Sequence, residues 1–158
     1  MKPKGVEFMD EMILVINGPN LNRLGHRDPS QYGQISLEAI EKSLDDRSLE
    51  LGVQIEFYQS NHEGVLVDFI QEHTSSANGI IINLGALTQT SYSILDALID
   101  AKLPFVEVHL SNIHGREKFR QKSVLASTAN GQIAGLGWRG YLYALDYLVA
   151  LAVEDRTD

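Results

Sequence analysis

Met12-Ile13-Leu14-Val15-Ile16-Asn17 is an unbroken apolar run of strand length that closes on the turn residues Gly18-Pro19-Asn20. A polar stretch carries the chain on to Gly33, and an amphipathic segment, 37–51, follows it. A short apolar run bounded by turn residues suits a strand covered on both faces, as in a parallel sheet flanked by helices. Outward from this unit the same alternation repeats. Further strands are expected at 53–59, 79–84, 105–109 and 132–135, and further helices at 65–76, 91–102 and 140–154, each with apolar residues three and four apart. In the last helix, Leu142, Leu145, Tyr147, Leu148, Leu151 and Ala152 make a broad apolar face. A short helical turn around Arg116 to Arg120 is the only element between the fourth and fifth strands.

Strictly alternating strands and helices pack as an α/β fold, a parallel sheet with helices on both faces. Five strands in an open parallel sheet predict a flavodoxin-like order, 2-1-3-4-5. With 158 residues the chain holds one well-buried domain, not two. The expected organisation is a flexible N-terminal extension over 1–11, a single domain over 12–154 and a tail over 155–158. Thirteen basic against twenty-one acidic residues give a net charge of −8, which argues against a nucleic-acid surface. An anionic ligand must therefore be held by locally placed cations and backbone N–H groups. No cysteine is present, so neither disulfides nor thiolate metal sites enter the reading. The first residues lack the apolar core of a signal peptide, and no run approaches the ~20 apolar residues of a spanning helix. A soluble, cytoplasmic protein with no membrane partner is the expectation.

Open α/β sheets bind ligands beyond the carboxyl ends of their strands, near the switch in strand order. Four polar clusters fall there: Asn17 to Tyr32, Ser60-Asn61-His62-Glu63, Asn83 to Ser91, and His109 to Arg120. In the first, Arg27 and Tyr32 lie close together, and Arg116 can approach from the end of strand four. An ordinary phenol ionises near pH 10, and an adjacent guanidinium favours its anion. That pairing suits proton abstraction from a carbon beside a carbonyl. The plainer reading is a loop tyrosine packing its ring among solvated arginines.

His109 ends strand four, and alternation puts Glu107 on the same side. Glu107 can then fix the imidazole tautomer and leave the other ring nitrogen to donate a proton; the plainer reading is a histidine merely satisfied by a carboxylate. His109 and His114 match no recognised metal-ligand spacing. The backbone N–H groups of Leu110, Ser111 and Asn112, with the Asn83 amide, can form an anion pocket. Arg116 and Arg120, read as i, i+4 on one turn, would project together as a substrate clamp or as a solvated basic face. Asn20 follows Gly18-Pro19 and serves either as turn chemistry or as the residue orienting a water or oxyanion.

Other flavodoxin-like functions fit less well. A phosphoryl receiver needs acidic residues where Asn17 and Asn83 stand, and Gly18-Pro19-Asn20 makes a poor flavin phosphate loop. A non-catalytic binder of small anions is a third reading.

Taken together, Asn17-Gly18-Pro19-Asn20-Leu21-Asn22, Tyr32-Gly33, Gln59-Ser60-Asn61-His62-Glu63-Gly64, Ile82-Asn83 with Gly85-Ala86, Glu107-Val108-His109-Leu110-Ser111-Asn112, and Arg116-Glu117 with Phe119-Arg120 resemble the type II 3-dehydroquinate dehydratases. The resemblance runs from about Ile13 to Leu148. It implies a lyase of the shikimate pathway that converts 3-dehydroquinate, its small-molecule substrate, without metal or organic cofactor. It also implies trimers assembled into a dodecamer. Tyr32 would be the base at C2, Arg27 its activating partner on a mobile lid, and His109, oriented by Glu107, the acid at the C1 hydroxyl. Asn20 would hold a water against the enolate oxygen. Asn83 with the Leu110 and Ser111 backbone would bind the carboxylate, Arg116 and Arg120 would complete the arginines, and Asp96 would reach an adjacent subunit. One departure bears on binding: Gln89 stands where the family carries a histidine that contacts substrate hydroxyls. Gln89 can donate and accept hydrogen bonds but cannot carry charge, and the non-catalytic reading has this residue as its only support.

Overall fold

Strand β1 (Met12–Asn17) is the spine of the molecule, with β2 (Gln54–Gln59) along one edge and β3 (Gly79–Asn83) along the other. Beyond β3 lie β4 (Phe105–His109) and then β5 (Gly131–Ala134), all parallel, in the order β2-β1-β3-β4-β5. The computed structural model describes residues 10–155. The 2-1-3-4-5 order matches the one expected from the alternation of elements.

Side-chain alternation along the strands sorts the core into two layers. Ile13, Val15, Ile81, Val106 and Val108 face one side, where Leu37, Ile40, Leu44, Tyr141, Leu145 and Leu148 cover them. Leu14, Ile16, Ile80 and Ile82 face the other, under Leu66, Phe69, Ile70, Ile94 and Leu98. Each such side chain, fully buried, contributes about 1.5–3 kcal/mol against unfolding, so these layers dominate the stability. Exposed helix-surface pairs such as Lys42 with Asp46 are secondary, because both partners stay solvated.

The helices are α1 (Pro29–Tyr32), α2 (Leu37–Leu51), α3 (Glu63–His73), α4 (Tyr92–Ala101) and α5 (Arg139–Glu154). Ser36 caps α2 by accepting from Ala39 N, and Ser91 caps α4 by accepting from Ile94 N. The strand and helix bounds differ by a few residues from those the sequence suggests. Residues 74–76 leave α3 as a tighter 3₁₀ turn, and α3 itself begins two residues earlier, at Glu63. The apolar face of α5 also needs correcting. Its buried stripe is Gly140, Tyr141, Ala144, Leu145, Leu148 and Val149, whereas Tyr147 is 44% exposed. The helix rolls this way because Gly140 lets its backbone settle close to Val108 and Ile133, where a Cβ would lie 3.3 and 3.1 Å from their methyl groups.

Glu11 is already buried, and its carbonyl accepts from Gln54 N at 2.8 Å. The rest of the proposed extension, save Asp10, and residues 156–158 of the tail lie outside the described residues.

The register sets up the site. Asn17 lies beside both Gln59 and Asn83, so the first three strands end at one level. Ile82 lies beside Glu107, which carries His109 just past that level. Gly18 then crosses to β3, its N–H donating to the Asn83 carbonyl at 2.8 Å. A Cβ at Gly18 would meet the Leu84 carbonyl oxygen at 2.4 Å, so only glycine permits this crossing.

Candidate active site

Beyond these strand ends lies a cleft of about 140 Å³ lined by Asn20, Arg27, Tyr32, Asn83, Gln89, His109, Leu110, Ser111, Arg116 and Arg120, with Pro19, Leu21, Gly85, Ala86 and Ile113 between them. Ten of the residues singled out from sequence therefore share one wall-to-wall space. Glu107 sits behind it, fully buried, and Asp96 is exposed on α4, outside the cleft of its own chain.

The stretch between β1 and α2, read from sequence as irregular, contains a 3₁₀ turn over Leu21–Arg23 and the one-turn helix α1. Asp28 caps α1, accepting from Ser30 N at 2.9 Å and from the Ser30 hydroxyl at 2.7 Å, and Pro29 occupies the first helical position. Those hydrogen bonds hold the Asp28 carboxyl below its ordinary range. The Asp-Pro pair was the local signal for this turn. Its consequence is that Tyr32 points into the cleft from a fixed helical position.

The Tyr32 phenolic oxygen accepts from Arg116 Nη1 at 2.9 Å and from Arg27 Nη2 at 3.3 Å. The Arg27 guanidinium also lies over the tyrosine ring, 4.1 Å from its centroid. Two cations thus converge on one oxygen, and charge-assisted donors of this kind stabilise negative charge that develops there.

Arg116 and Arg120 do not meet as i, i+4 neighbours on one helical turn. Arg116 has extended backbone between two 3₁₀ turns, Ile113–Gly115 and Lys118–Arg120. They converge instead on Glu117, whose Oε2 lies 3.5 Å from Arg116 Nε and 3.3 Å from Arg120 Nε. Neither Nε makes a hydrogen bond there, and Glu117 is solvated, so the contacts are loose charge pairs. The two guanidinium groups keep unspent donor capacity toward the cleft, which suits an anionic ligand in a protein of net charge −8.

On the opposite wall, His109 Nε2 lies 2.6 Å from Glu107 Oε1, so Nδ1 is the ring nitrogen left for cleft chemistry. The same carboxylate accepts from the Ser123 hydroxyl at 2.7 Å and from Gln132 Nε2 at 3.1 Å. At the floor, the Tyr141 hydroxyl donates to Asn17 Oδ1 at 2.6 Å and accepts from Asn83 Nδ2 at 2.9 Å. Burial pushes the Tyr141 hydroxyl well above the ordinary phenol range, so it stays a neutral donor. Asn83 Oδ1 accepts from Gly85 N at 3.2 Å, which leaves one N–H of its amide for a ligand. Gln89 Nε2 donates to the Arg120 carbonyl at 3.3 Å, tying one rim of the cleft to the other. Asn20 sits at the mouth in left-handed backbone, φ 68°, and its N–H donates to Asn61 Oδ1 at 2.9 Å.

Tyr141, Ser123 and Gln132 carry no mark in the sequence. Tyr141 reads as one more apolar residue of a helix, and the other two as polar residues of a loop and an edge strand. Among the described residues, no group of three or more His, Asp or Glu is placed to hold a metal ion, and no helix is long and apolar enough to cross a membrane.

Fold and cleft together define an α/β protein that gathers a phenol, an imidazole and three arginines around one small anion-accepting space. Residues 11–149 match the family model described as dehydroquinase class II. The 3-dehydroquinate dehydratase of Endomicrobium trichonymphae is 57% identical over 139 residues, covering 88% of this chain and 97% of that protein. That of Roseiflexus castenholzii is 54% identical over 137 residues, covering 87% of each. The crystal structure of type II dehydroquinase from Butyrivibrio crossotus superposes with a TM-score of 0.85 at 45% identity, covering 87% of this chain and 97% of that one. This chain belongs to the class II dehydroquinases.

Proposed function

We propose that this protein is a 3-dehydroquinate dehydratase, a hydro-lyase forming 3-dehydroshikimate in the shikimate pathway, with Tyr32 as base and His109 as acid. One juxtaposition supports the assignment of roles: a phenol bonded by two guanidinium groups lines the same cleft as a histidine backed by a buried carboxylate. The C2 proton of the substrate is acidified by the neighbouring ketone. Tyr32, as phenolate, takes that proton, and the electron pair moves into the carbonyl to give an enolate. Collapse of the enolate forms the C1–C2 double bond and breaks the C1–O bond. His109 delivers a proton from Nδ1 to the departing hydroxyl, which leaves as water, while Nε2–H stays bonded to Glu107. Tyr32 then returns its proton to solvent and His109 regains one before the next turnover.

The remaining residues bind. Arg27 and Arg116 stabilise charge on Tyr32, Asn20 holds a water against the enolate oxygen, and Arg120 and Gln89 contact the substrate. The Asn83 amide and the Leu110 and Ser111 backbone receive its carboxylate. A single donor positioned on a developing oxyanion is worth about 2.7–4 kcal/mol. In this proposal Asp96 serves a neighbour's cleft, within trimers that build a dodecamer in the cytoplasm. Purified protein given 3-dehydroquinate should generate the ultraviolet absorbance of a conjugated enone. Absence of turnover above background would leave only the binding of small anions. Light scattering should report twelve chains per particle, and a monomer would reject the assembly.

A further inference from the structure

Glu107 is placed to orient His109, and two further side chains hold Glu107 in turn. On β4 it lies directly beside Gln132 of β5 in the parallel ladder, which brings the two side chains together on one face of the sheet. Gln132 Nε2 is a donor only, and it points at Oε2 from 3.1 Å. Ser123 is equally constrained. Its oxygen accepts from Leu125 N and Ala126 N, both at 3.1 Å, so its one hydroxyl proton is left for Glu107 Oε1 at 2.7 Å. The Ser123 proton is fixed in direction by the two bonds its oxygen accepts, the Gln132 amide is brought to Oε2 by the strand register, and both donors are answered by carboxylate lone pairs.

We infer that Ser123 and Gln132 are positioning residues that clamp the Glu107 carboxylate and thereby fix the His109 ring and its Nε2–H tautomer in the cleft. The clamp comes from two elements, the segment after Arg120 and the edge strand β5. Its rotation about the Glu107 side chain is blocked on both oxygens. Without it, Glu107 keeps only its bond to His109 and can turn with the ring, so that Nδ1 no longer meets the leaving group at a set angle. The inference rests on His109 being the acid. His109→Gln, assayed beside wild type, tests that reading separately: an active His109→Gln enzyme removes the acid role, whatever the clamp does.

The clamp itself is tested with Ser123→Ala, Gln132→Leu, Ser123→Thr and Gln132→Glu, each checked for native circular dichroism. Outer partners that orient metal-bound histidines matter by about 10–100-fold, and the same order is expected for a histidine that must aim a proton. Ser123→Ala and Gln132→Leu are therefore expected to lower kcat about tenfold or more with KM within about twofold, and Ser123→Thr, which keeps the hydroxyl, to stay near wild type. Gln132→Glu sets a second carboxyl against Glu107. Such a pair shares one proton, so the pH dependence of kcat should shift relative to wild type. Gln132→Leu keeps the test decisive should Ser123→Ala disturb the turn its oxygen supports. Wild-type kcat in Gln132→Leu, or an unmoved pH profile in Gln132→Glu, overturns the clamp.

Discussion

The oxygen of Tyr32 and its ring are held by different forces, so substitution there can separate proton transfer from positioning. Tyr32→Phe keeps the ring under the Arg27 guanidinium, which lies 4.1 Å from its centroid, and removes only the oxygen that Arg27 and Arg116 reach. Positioned acid–base groups contribute about 10²–10⁴-fold, so kcat should fall by that order while KM changes little. Steady-state kinetics on the enone absorbance measure this, and a near-normal kcat would remove Tyr32 from the role of base. At this scale much of the candidate site was legible. His109 and Asn83 are polar residues that close apolar runs, and Tyr32 and the arginines lie in the polar loops that follow the strands, where burial alone gives no reason for them. The role proposed for Asp96 comes only from the family resemblance, because Asp96 is exposed and does not line the cleft of its own chain.

At the scale of elements, α1 is a single turn and cannot persist on its own helical propensity. Its Asp28 cap is therefore what presents Tyr32 to the cleft. Asp28→Ala should lower kcat through loss of that geometry, with little change in the overall unfolding midpoint, because no residue of the turn is fully buried and only Tyr32 touches a core layer. The cap also carries a pH signature. Hydrogen bonds from Ser30 depress the folded carboxyl below its ordinary 3.8. Its stabilisation of α1 is thus fully present above that value and is lost as pH falls through the lower folded one. Tyr32 fluorescence or hydrogen exchange across residues 28–33 should show loosening in that acid range for wild type and no such transition in Asp28→Ala. The sequence does contain the Asp28-Pro29 signal, but a four-residue helix offers too short a window for periodicity to register. The reverse happened with Arg116 and Arg120, whose spacing suggests one helical turn. The intervening extended residues break that turn, and a shared carboxylate does the joining instead.

For the molecule as a whole, Tyr141 links the helix that covers one face of the sheet to the ends of two central strands. Tyr141→Phe would leave Asn17 Oδ1 and Asn83 Nδ2 buried without their partner. Each stranded polar atom costs about 1–3 kcal/mol, so denaturant unfolding should report a loss of that order or more. KM should rise as well, because Asn83 loses the bond that aims its remaining N–H. Unchanged stability would mean that water replaces the hydroxyl. The alternation of buried runs with amphipathic segments determined by itself that this chain forms a parallel sheet between helices, with its polar residues gathered at the strand ends. Such patterns are local, repeating every two or 3.6 residues, and survive without knowledge of any neighbour. Only tertiary structure decided that Arg116 bonds a tyrosine 84 residues away, that α5 turns Tyr141 inward and Tyr147 out, and that Ser123 and Gln132 close on Glu107. Those meetings depend on the roll of a helix, the path of a loop and the register of an edge strand. Each is fixed by packing against distant residues, and no local pattern records it.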